Sequence, residues 1–272
     1  MGQLGRTAIF DRGVPMQDYN SIRTAGTATR SAAVDEGLRA YMNKVYGLMA
    51  VGMLVTAGAA WGIAGLALTD VATGFRPMGN GQYLTEFGNL LYNTPLKWVV
   101  MFAPLLMVFA FGAALNRLSV QGATTMFYVF AAMMGVSISW IFAVYTSFSI
   151  VQTFLVTAIA FAGLSLYGYT TKRDLSGFGT FLMMGVIGLI VASIVNIFLK
   201  SSAMQFAISG LGVLIFAGLT AFDTQNIKNT YLQMANSDRD FLGKAAIMGA
   251  LQLYLDFLNL FMFLLQFMGN RE

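Results

Sequence analysis

The chain contains seven stretches of about 20 mostly apolar residues, and this feature restricts its fold more than any other. A helix needs about 20 such residues to cross the hydrocarbon core of a bilayer. Only 10% of the 272 residues are charged, whereas a soluble domain carries about 25%. We therefore predict an all-α polytopic membrane protein with seven transmembrane helices. The spans cover about residues 45–68, 98–115, 124–145, 149–169, 178–199, 203–223 and 246–268.

The connections between the spans differ in length. Residues 69–97 are rich in Gly, Pro and Asn, which predicts an irregular loop with one short surface helix. The third and fourth spans are separated by only a few residues, so we expect a tight antiparallel hairpin. We expect residues 1–36 to form a flexible tail and residues 37–272 to form the transmembrane domain. Near this boundary, Ser31 is a candidate N-cap for a helix with Asp35 and Glu36 in its first turns.

The distribution of basic residues predicts the orientation of the chain. With the N-terminus in the cytoplasm, 12 of the 16 Lys and Arg residues fall in cytoplasmic segments and 4 on the other side. Short cytoplasmic loops of membrane proteins carry this excess. We therefore expect the C-terminus to lie outside. Because the basic residues lie between apolar runs, we expect the lipid bilayer as partner and no nucleic acid.

The absence of Cys and His removes several classes of site. Without these residues the chain has no disulfides, no Cys/His zinc site and no His-based catalytic triad. The last span contains no lysine to bind retinal, and the sequences "AFDT" and "YLDF" do not match the GxGD pattern of paired-aspartate intramembrane proteases. We therefore expect neither an enzyme nor a bound cofactor.

Two aspartates, Asp223 and Asp256, lie within or at the edge of spans. A charge at the bilayer centre costs roughly 2.5–3.5 kcal/mol on insertion scales, so intramembrane carboxyls usually face the bundle interior. Gln252 and Asn259 lie on the same helical face as Asp256, and Gln266 continues this face. The alternative for this polar stripe is helix packing by hydrogen bonds, and the alternative for Asp223 is an interfacial position.

The two aspartates lie at different heights in neighbouring antiparallel spans. Asp223 ends the sixth span, whereas Asp256 lies about 15 Å along the seventh. If the sixth span continues as a helix to about Tyr231, the carboxyls can meet and share one proton. Arg117 ends the second span at the level of Asp223. It can pair with an ionised Asp223, or it can be an ordinary basic residue of a cytoplasmic loop.

Small residues indicate where helices can approach closely in lipid. Gly58 and Gly62 form a GxxxG pair in the first span. Ala131, Gly135 and Ser139 form a small-residue stripe in the third. We expect both sets to lie at helix–helix contacts.

Four segments carry a resemblance to a known family. They are "GLRAYMNKVYGLM", "YGYTTKRDLSGFG", "FDTQNIK" and "ALQLYLDFLNLFMFLLQF". With these segments the chain resembles the transmembrane Bax inhibitor motif family, the Bax inhibitor-1-like membrane proteins. The resemblance implies a seven-helix bundle with the last helix at its centre. It also implies a pH-sensitive calcium leak whose sensor is the aspartate pair, here Asp223 and Asp256. The family's second-helix arginine would fall on Arg117, and the family suggests a bacterial inner membrane.

Two functions remain open from the sequence. The first is a passive pathway for Ca²⁺, with Asp223 and Asp256 as ion ligands, because hard cations prefer carboxylate and carbonyl oxygens. The amides of Gln252, Asn259 and Asn196 would add oxygens to this pathway. The second is a regulatory membrane protein that binds a membrane protease or another membrane complex without conducting ions.

Overall fold

The computed structural model describes the backbone of residues 17–75, 81–115, 117–234 and 238–270. Side chains are described in these ranges from Val34 onward, except for Arg239. The elements are α1 Gln17–Ala67, β1 Leu68–Thr69, β2 Tyr83–Leu84, α2 Glu86–Asn93, α3 Leu96–Ala114, α4 Val120–Ile138, α5 Ile141–Val144, α6 Ser147–Thr170, α7 Ser176–Leu199, α8 Ser202–Met234 and α9 Arg239–Met268.

Seven helical segments among the described residues are long and apolar enough to cross a membrane. The predicted all-α membrane fold is therefore confirmed, and each segment overlaps one predicted span. The segments are Val34–Ala67, Leu96–Ala114, Val120–Val144, Ser147–Thr170, Ser176–Leu199, Ser202–Met234 and Asp240–Met268. Because successive spans alternate in direction, the α6–α7 and α8–α9 connections lie at the same end as the beginning of the first span. We call this the basic end, since it holds Arg39, Lys172 and Arg173.

Helix α9 lies at the centre of the bundle, as expected. In its most apolar stretch 61% of the residues are buried, whereas the corresponding share in α3 is 11%. It packs against α8, α1, α6 and α4, while α3 packs mainly against α4 and α2, and α7 mainly against α8. Tyr254 of α9 makes edge-on ring contacts with Phe127 and Phe130. Its hydroxyl donates to Thr56 (2.6 Å), which in turn donates to the carbonyl oxygen of Ala131 (2.8 Å).

The first helix begins earlier than the sequence predicted. Its backbone is helical from Gln17 onward, so the expected N-cap at Ser31 is wrong and the boundary at residue 36 is not a break. No proline follows Pro15 before the first span, and the segment is rich in alanine. An existing helix can therefore extend backwards without a new nucleus. Residues 1–16 of the expected tail lie outside the described residues.

The predicted surface helix in the long connection is α2. Thr85 is its N-cap and accepts a hydrogen bond from the amide of Gly88 (3.0 Å). The sequence did not predict the short antiparallel pair of β1 and β2, in which Leu68 lies opposite Leu84. Two residues in each strand are too few to produce a recognisable alternating pattern.

The two small-residue predictions have opposite outcomes. A Cβ atom added at Gly58 or Gly62 would meet nothing within 4 Å, so the predicted GxxxG contact is wrong. The stripe on α4 is confirmed, because Gly135 lies directly against the backbone of Thr56 in α1. Ser139 of the same stripe is buried, and its hydroxyl shares a hydrogen bond with the hydroxyl of Tyr92 (2.8 Å).

We predict that Gly135→Ala destabilises the bundle. The new methyl group would collide with the carbonyl oxygen of Thr56 and the side chain of Ala59, and overpacking of this kind costs about 1–3 kcal/mol. Gly58→Ala is the matched control, because its methyl group meets open space. Thermal unfolding in detergent should show a lower midpoint for Gly135→Ala only, and equal midpoints for both variants would contradict the close approach of α1 and α4.

Candidate functional site

The register between α8 and α9 determines which of their polar residues meet. Toward the basic end, Ile227 lies against Gly249, and toward the other end Gly212 lies against Phe263. The two helices are therefore antiparallel, and Asp223 faces the part of α9 that carries Asp256. This contact requires α8 to remain helical beyond Asp223. Helix α8 continues to Met234, past Tyr231, the point to which it has to be helical for the two carboxyls to meet.

The carboxyl groups of Asp223 and Asp256 lie close enough to each other to form a hydrogen bond. An ionised carboxylate can only accept hydrogen bonds, so a bond between two carboxyls requires a proton on one of them. The two aspartates therefore meet between α8 and α9, and the shared proton stays a prediction.

The two carboxyls differ in their surroundings. Asp256 is only 4% exposed, whereas Asp223 is half-buried. The Oδ2 atom of Asp256 is buried and has no hydrogen-bond partner in the part of the chain that the structure describes. A buried polar atom without a partner is costly, and a carboxyl oxygen in this condition is suited to a proton, a water molecule or a cation.

A chain of hydroxyl groups connects three helices next to Asp223. Tyr46 of α1 lies 2.6 Å from Ser165 of α6, and Ser165 lies 2.9 Å from Thr224 of α8. Thr224 donates its single proton to the carbonyl oxygen of Thr220 (2.7 Å). Ser165 must therefore donate to Thr224, and Tyr46 must donate to Ser165. These bonds fix the rotation of α8 beside the aspartate pair.

The segment that follows Asp223 binds the α6–α7 connection. The side-chain amide of Gln225 donates to the carbonyl oxygen of Arg173 (2.7 Å) and accepts from the amide of Leu175 (2.8 Å). One turn later, Lys228 donates to the carbonyl oxygen of Tyr169 at the end of α6 (2.7 Å). A cation at a helix C-terminus is favourable. Sequence reasoning missed both residues, although they belong to the quoted segment "FDTQNIK".

The same connection contains a side-chain turn just before α7. The side chain of Asp174 accepts a hydrogen bond from the amide of Ser176 (2.9 Å). Hydrogen bonds from Ser176 hold the pKa of Asp174 below its ordinary value. This stabilisation is present when Asp174 is ionised and is lost as the pH falls through its lowered pKa.

Of the three amide side chains predicted to line the ion pathway, two lie near Asp256 and one does not. Gln252 and Asn259 are half-buried on α9, about one turn on either side of Asp256. Asn259 donates to the carbonyl oxygen of Leu255 in its own helix (2.8 Å). Asn196 is buried at the end of α7, where it donates to Gln205 (3.2 Å).

Asn196 does not belong with the aspartate pair. Gln205 donates in turn to Gln266 (2.8 Å), which lies ten residues, or about 15 Å, beyond Asp256 along α9. Asn196 is therefore part of an amide cluster at the end of the bundle opposite the basic end.

Arg117 is not brought to Asp223 in this structure. Its side chain is exposed, and it follows α3, which packs mainly against α4 and α2. Asp223 lies on α8, which packs against α6, α7 and α9. The predicted pairing fails because two residues at the same end of a bundle can lie on different sides of it.

Among the residues that the structure describes, the acidic side chains form no larger cluster. Within the described ranges, no group of three or more His, Cys, Asp or Glu side chains is close enough to hold a metal ion together. Any cation at the aspartate pair would therefore have two carboxyls, together with neutral oxygens, as its ligands.

Comparisons with known proteins agree with the fold. Residues 38–272 match the sequence model of a family described as "Inhibitor of apoptosis-promoting Bax1". An uncharacterized protein of Caulobacter vibrioides is 45% identical over 94% of this chain and 100% of its own length. Protein RP147 of Rickettsia prowazekii is 42% identical over 94% of this chain and 100% of its own length. The inner membrane protein YbhL of Escherichia coli is 45% identical over 87% of this chain and 94% of its own length.

We predict that Gln225 holds the α6–α7 connection. In Gln225→Leu the amide of Leu175 loses its acceptor, so its hydrogen exchange should accelerate by about fivefold, because a lost hydrogen bond contributes about 1 kcal/mol. Gln225→Glu keeps an acceptor for this amide and should retain most of its protection. Asn226→Leu, at an exposed neighbouring position, is the control. Unchanged hydrogen exchange at the Leu175 amide in Gln225→Leu would show that the Gln225 side chain does not hold the α6–α7 connection.

Proposed function

The chain belongs to the family of membrane proteins described as inhibitors of apoptosis-promoting Bax1, and we propose that it is a pH-sensitive calcium leak pathway. The close approach of the Asp223 and Asp256 carboxyls inside the bundle carries this proposal. In this proposal the chain has no catalytic activity and needs no bound cofactor. Its proposed location is a bacterial inner membrane with the N-terminus in the cytoplasm. The name of the Escherichia coli relative and the distribution of Lys and Arg support this location.

The protonated pair is the closed state in this proposal. One proton joins the carboxyls of α8 and α9, so the two helices are held together beside the buried Oδ2 atom of Asp256. In this state the pair carries at most one negative charge. Leu253, Phe257 and Leu260, which neighbour Asp256 along α9, are buried apolar side chains, and in the proposed closed state they oppose the entry of a hydrated Ca²⁺ ion.

Loss of the shared proton creates the conducting state. Two carboxylates in contact repel each other strongly in a medium of low dielectric constant, and a divalent cation between them removes that repulsion. Ca²⁺ takes six to eight oxygen ligands as a rule, more than two carboxyls provide. Water and the amide oxygens of Gln252 and Asn259 would complete the shell. A site with so few fixed ligands binds weakly, which suits passage of the ion.

The pH dependence follows from the charge of the pair. A rise in pH removes the shared proton, converts the hydrogen bond into a repulsion and produces the cation site. Calcium flux should therefore rise with pH. Lys228, the nearest cation along α8, is held by the carbonyl oxygen of Tyr169 and does not neutralise the pair in this scheme.

The alternative function is regulation of a membrane protease or another membrane complex without conduction. In that case the aspartates would only brace the bundle, and the segments outside the membrane would bind the partner. Removal of residues 1–33 separates the two functions. A pathway through the bundle should still conduct after this truncation, whereas a regulator should lose its partner.

We predict that Asp223→Asn and Asp256→Asn abolish pH-stimulated calcium flux. An asparagine cannot become an anion, so neither variant can form the doubly charged cation site. In proteoliposomes the parent chain should conduct more calcium as the pH rises, and each variant should fall below it by about tenfold, because ligand charge governs Ca²⁺ affinity.

Asp240→Asn is the matched control, since Asp240 is an exposed carboxylate on α9, the helix that carries Asp256. Its flux should equal that of the parent. A parent chain that conducts equally well with and without the two aspartates would exclude the proposed pathway. A parent chain that never conducts would leave the regulatory function.

A further inference from the structure

A groove opens between α1 and α6 at the basic end of the bundle. Its volume is about 520 Å³. Arg39, Asn43 and Tyr46 line it from α1, and Phe161 and Tyr169 are among the residues that line it from α6. Neither helix packs closely on the other here, because both are held by α8 and α9 behind them. The groove is therefore open along its side to the membrane.

The floor of the groove is polar and closed. The Tyr46 and Ser165 hydroxyls meet there at 2.6 Å, and Ser165 continues to Thr224 behind the floor. The wall further from the basic end is apolar, with Phe161 and Ala162 along α6. A molecule that fills this groove must therefore have a long apolar part and a polar end directed toward the basic end.

The charges at the mouth of the groove are positive. Arg39 is exposed at the mouth. Lys228 of α8 is not among the lining residues, but its Nζ lies 5.8 Å from the centre of the ring of Tyr169, which lines the groove. No Asp or Glu is among the described residues that line the groove. The mouth is therefore complementary to an anionic group, and tyrosine rings such as Tyr46 and Tyr169 favour the interface between headgroups and acyl chains.

We propose that this groove binds a phospholipid with an anionic headgroup, taken from the leaflet at the basic end. The headgroup phosphate lies beside Arg39, and one acyl chain follows the apolar wall past Phe161. Lipid is the ligand because the groove opens between two membrane-spanning helices, where bilayer lipid has direct access. Basic residues near a membrane surface each favour anionic lipid by a factor of about five.

The lipid site does not depend on the proposed calcium pathway. It rests on the groove, its basic mouth and its apolar wall, whether or not the aspartate pair conducts ions. The two features are neighbours, because the hydroxyl chain that forms the floor ends at Thr224, next to Asp223 in the sequence.

The charge requirement is tested by titrating the purified full chain with phosphatidylglycerol and, separately, with phosphatidylcholine, and counting bound lipids by native mass spectrometry. The parent should bind phosphatidylglycerol more tightly. Arg39→Gln should weaken this binding about fivefold and leave phosphatidylcholine unchanged. Arg117→Gln removes the same charge from an exposed position outside the groove and should have no effect. Equal affinities of the parent for both lipids would overturn the proposal.

The location is tested by filling the groove. Ala162→Trp places a large side chain in it, whereas Gly163→Trp places the same side chain at the next position, where an added Cβ meets nothing within 4 Å. Phosphatidylglycerol binding should be lost in Ala162→Trp and retained in Gly163→Trp, with equal thermal unfolding midpoints showing that both fold. Retained binding in a folded Ala162→Trp variant would place the lipid elsewhere and contradict the proposal.

Discussion

The proposed gate depends on a hydrogen bond between two carboxyl groups that meet inside a bundle of membrane-spanning helices. This bond cannot exist when both groups are ionised, and an isolated charge at this depth is costly. For such a bond, Asp223 and Asp256 have to face protein, share a proton and lie on helices held at a fixed separation. The central position of α9 meets the first requirement, because its neighbours α8, α1, α6 and α4 surround the face that carries Asp256.

The position of α8 is fixed by bonds of the two residues that follow Asp223. Thr224 joins it to α6 through Ser165, and Gln225 joins it to the α6–α7 connection. Two of the segments that carry the family resemblance, "FDTQNIK" and "YGYTTKRDLSGFG", thus contact each other. Their joint role is to hold α8 at a defined height and rotation, so that its carboxyl meets that of α9. The outer helix α3 packs mainly against α4 and α2, away from this contact.

The sequence predicted the features that depend on composition along one chain segment. Hydropathy and length located all seven spans, and the cost of intramembrane charge selected Asp223 and Asp256. It could not predict which side of a helix meets a neighbour. Gly58 was therefore assigned to a contact although it faces open space, and Arg117 was placed near Asp223 although α3 lies on another side of the bundle. The bonds of Gln225 end on backbone atoms of a distant loop, and such partners leave no residue pattern to recognise.

The proposed gate requires that the aspartate pair hold a single proton around neutral pH. Infrared spectroscopy of the chain with isotope-labelled aspartate side chains separates protonated from ionised carboxyls. We expect one protonated aspartate in the parent at neutral pH. Its band should disappear as the pH rises, and it should be absent in the double variant Asp223→Asn/Asp256→Asn. A spectrum of the folded parent in which every aspartate is ionised at neutral pH would contradict the shared proton, and with it the proposed gate.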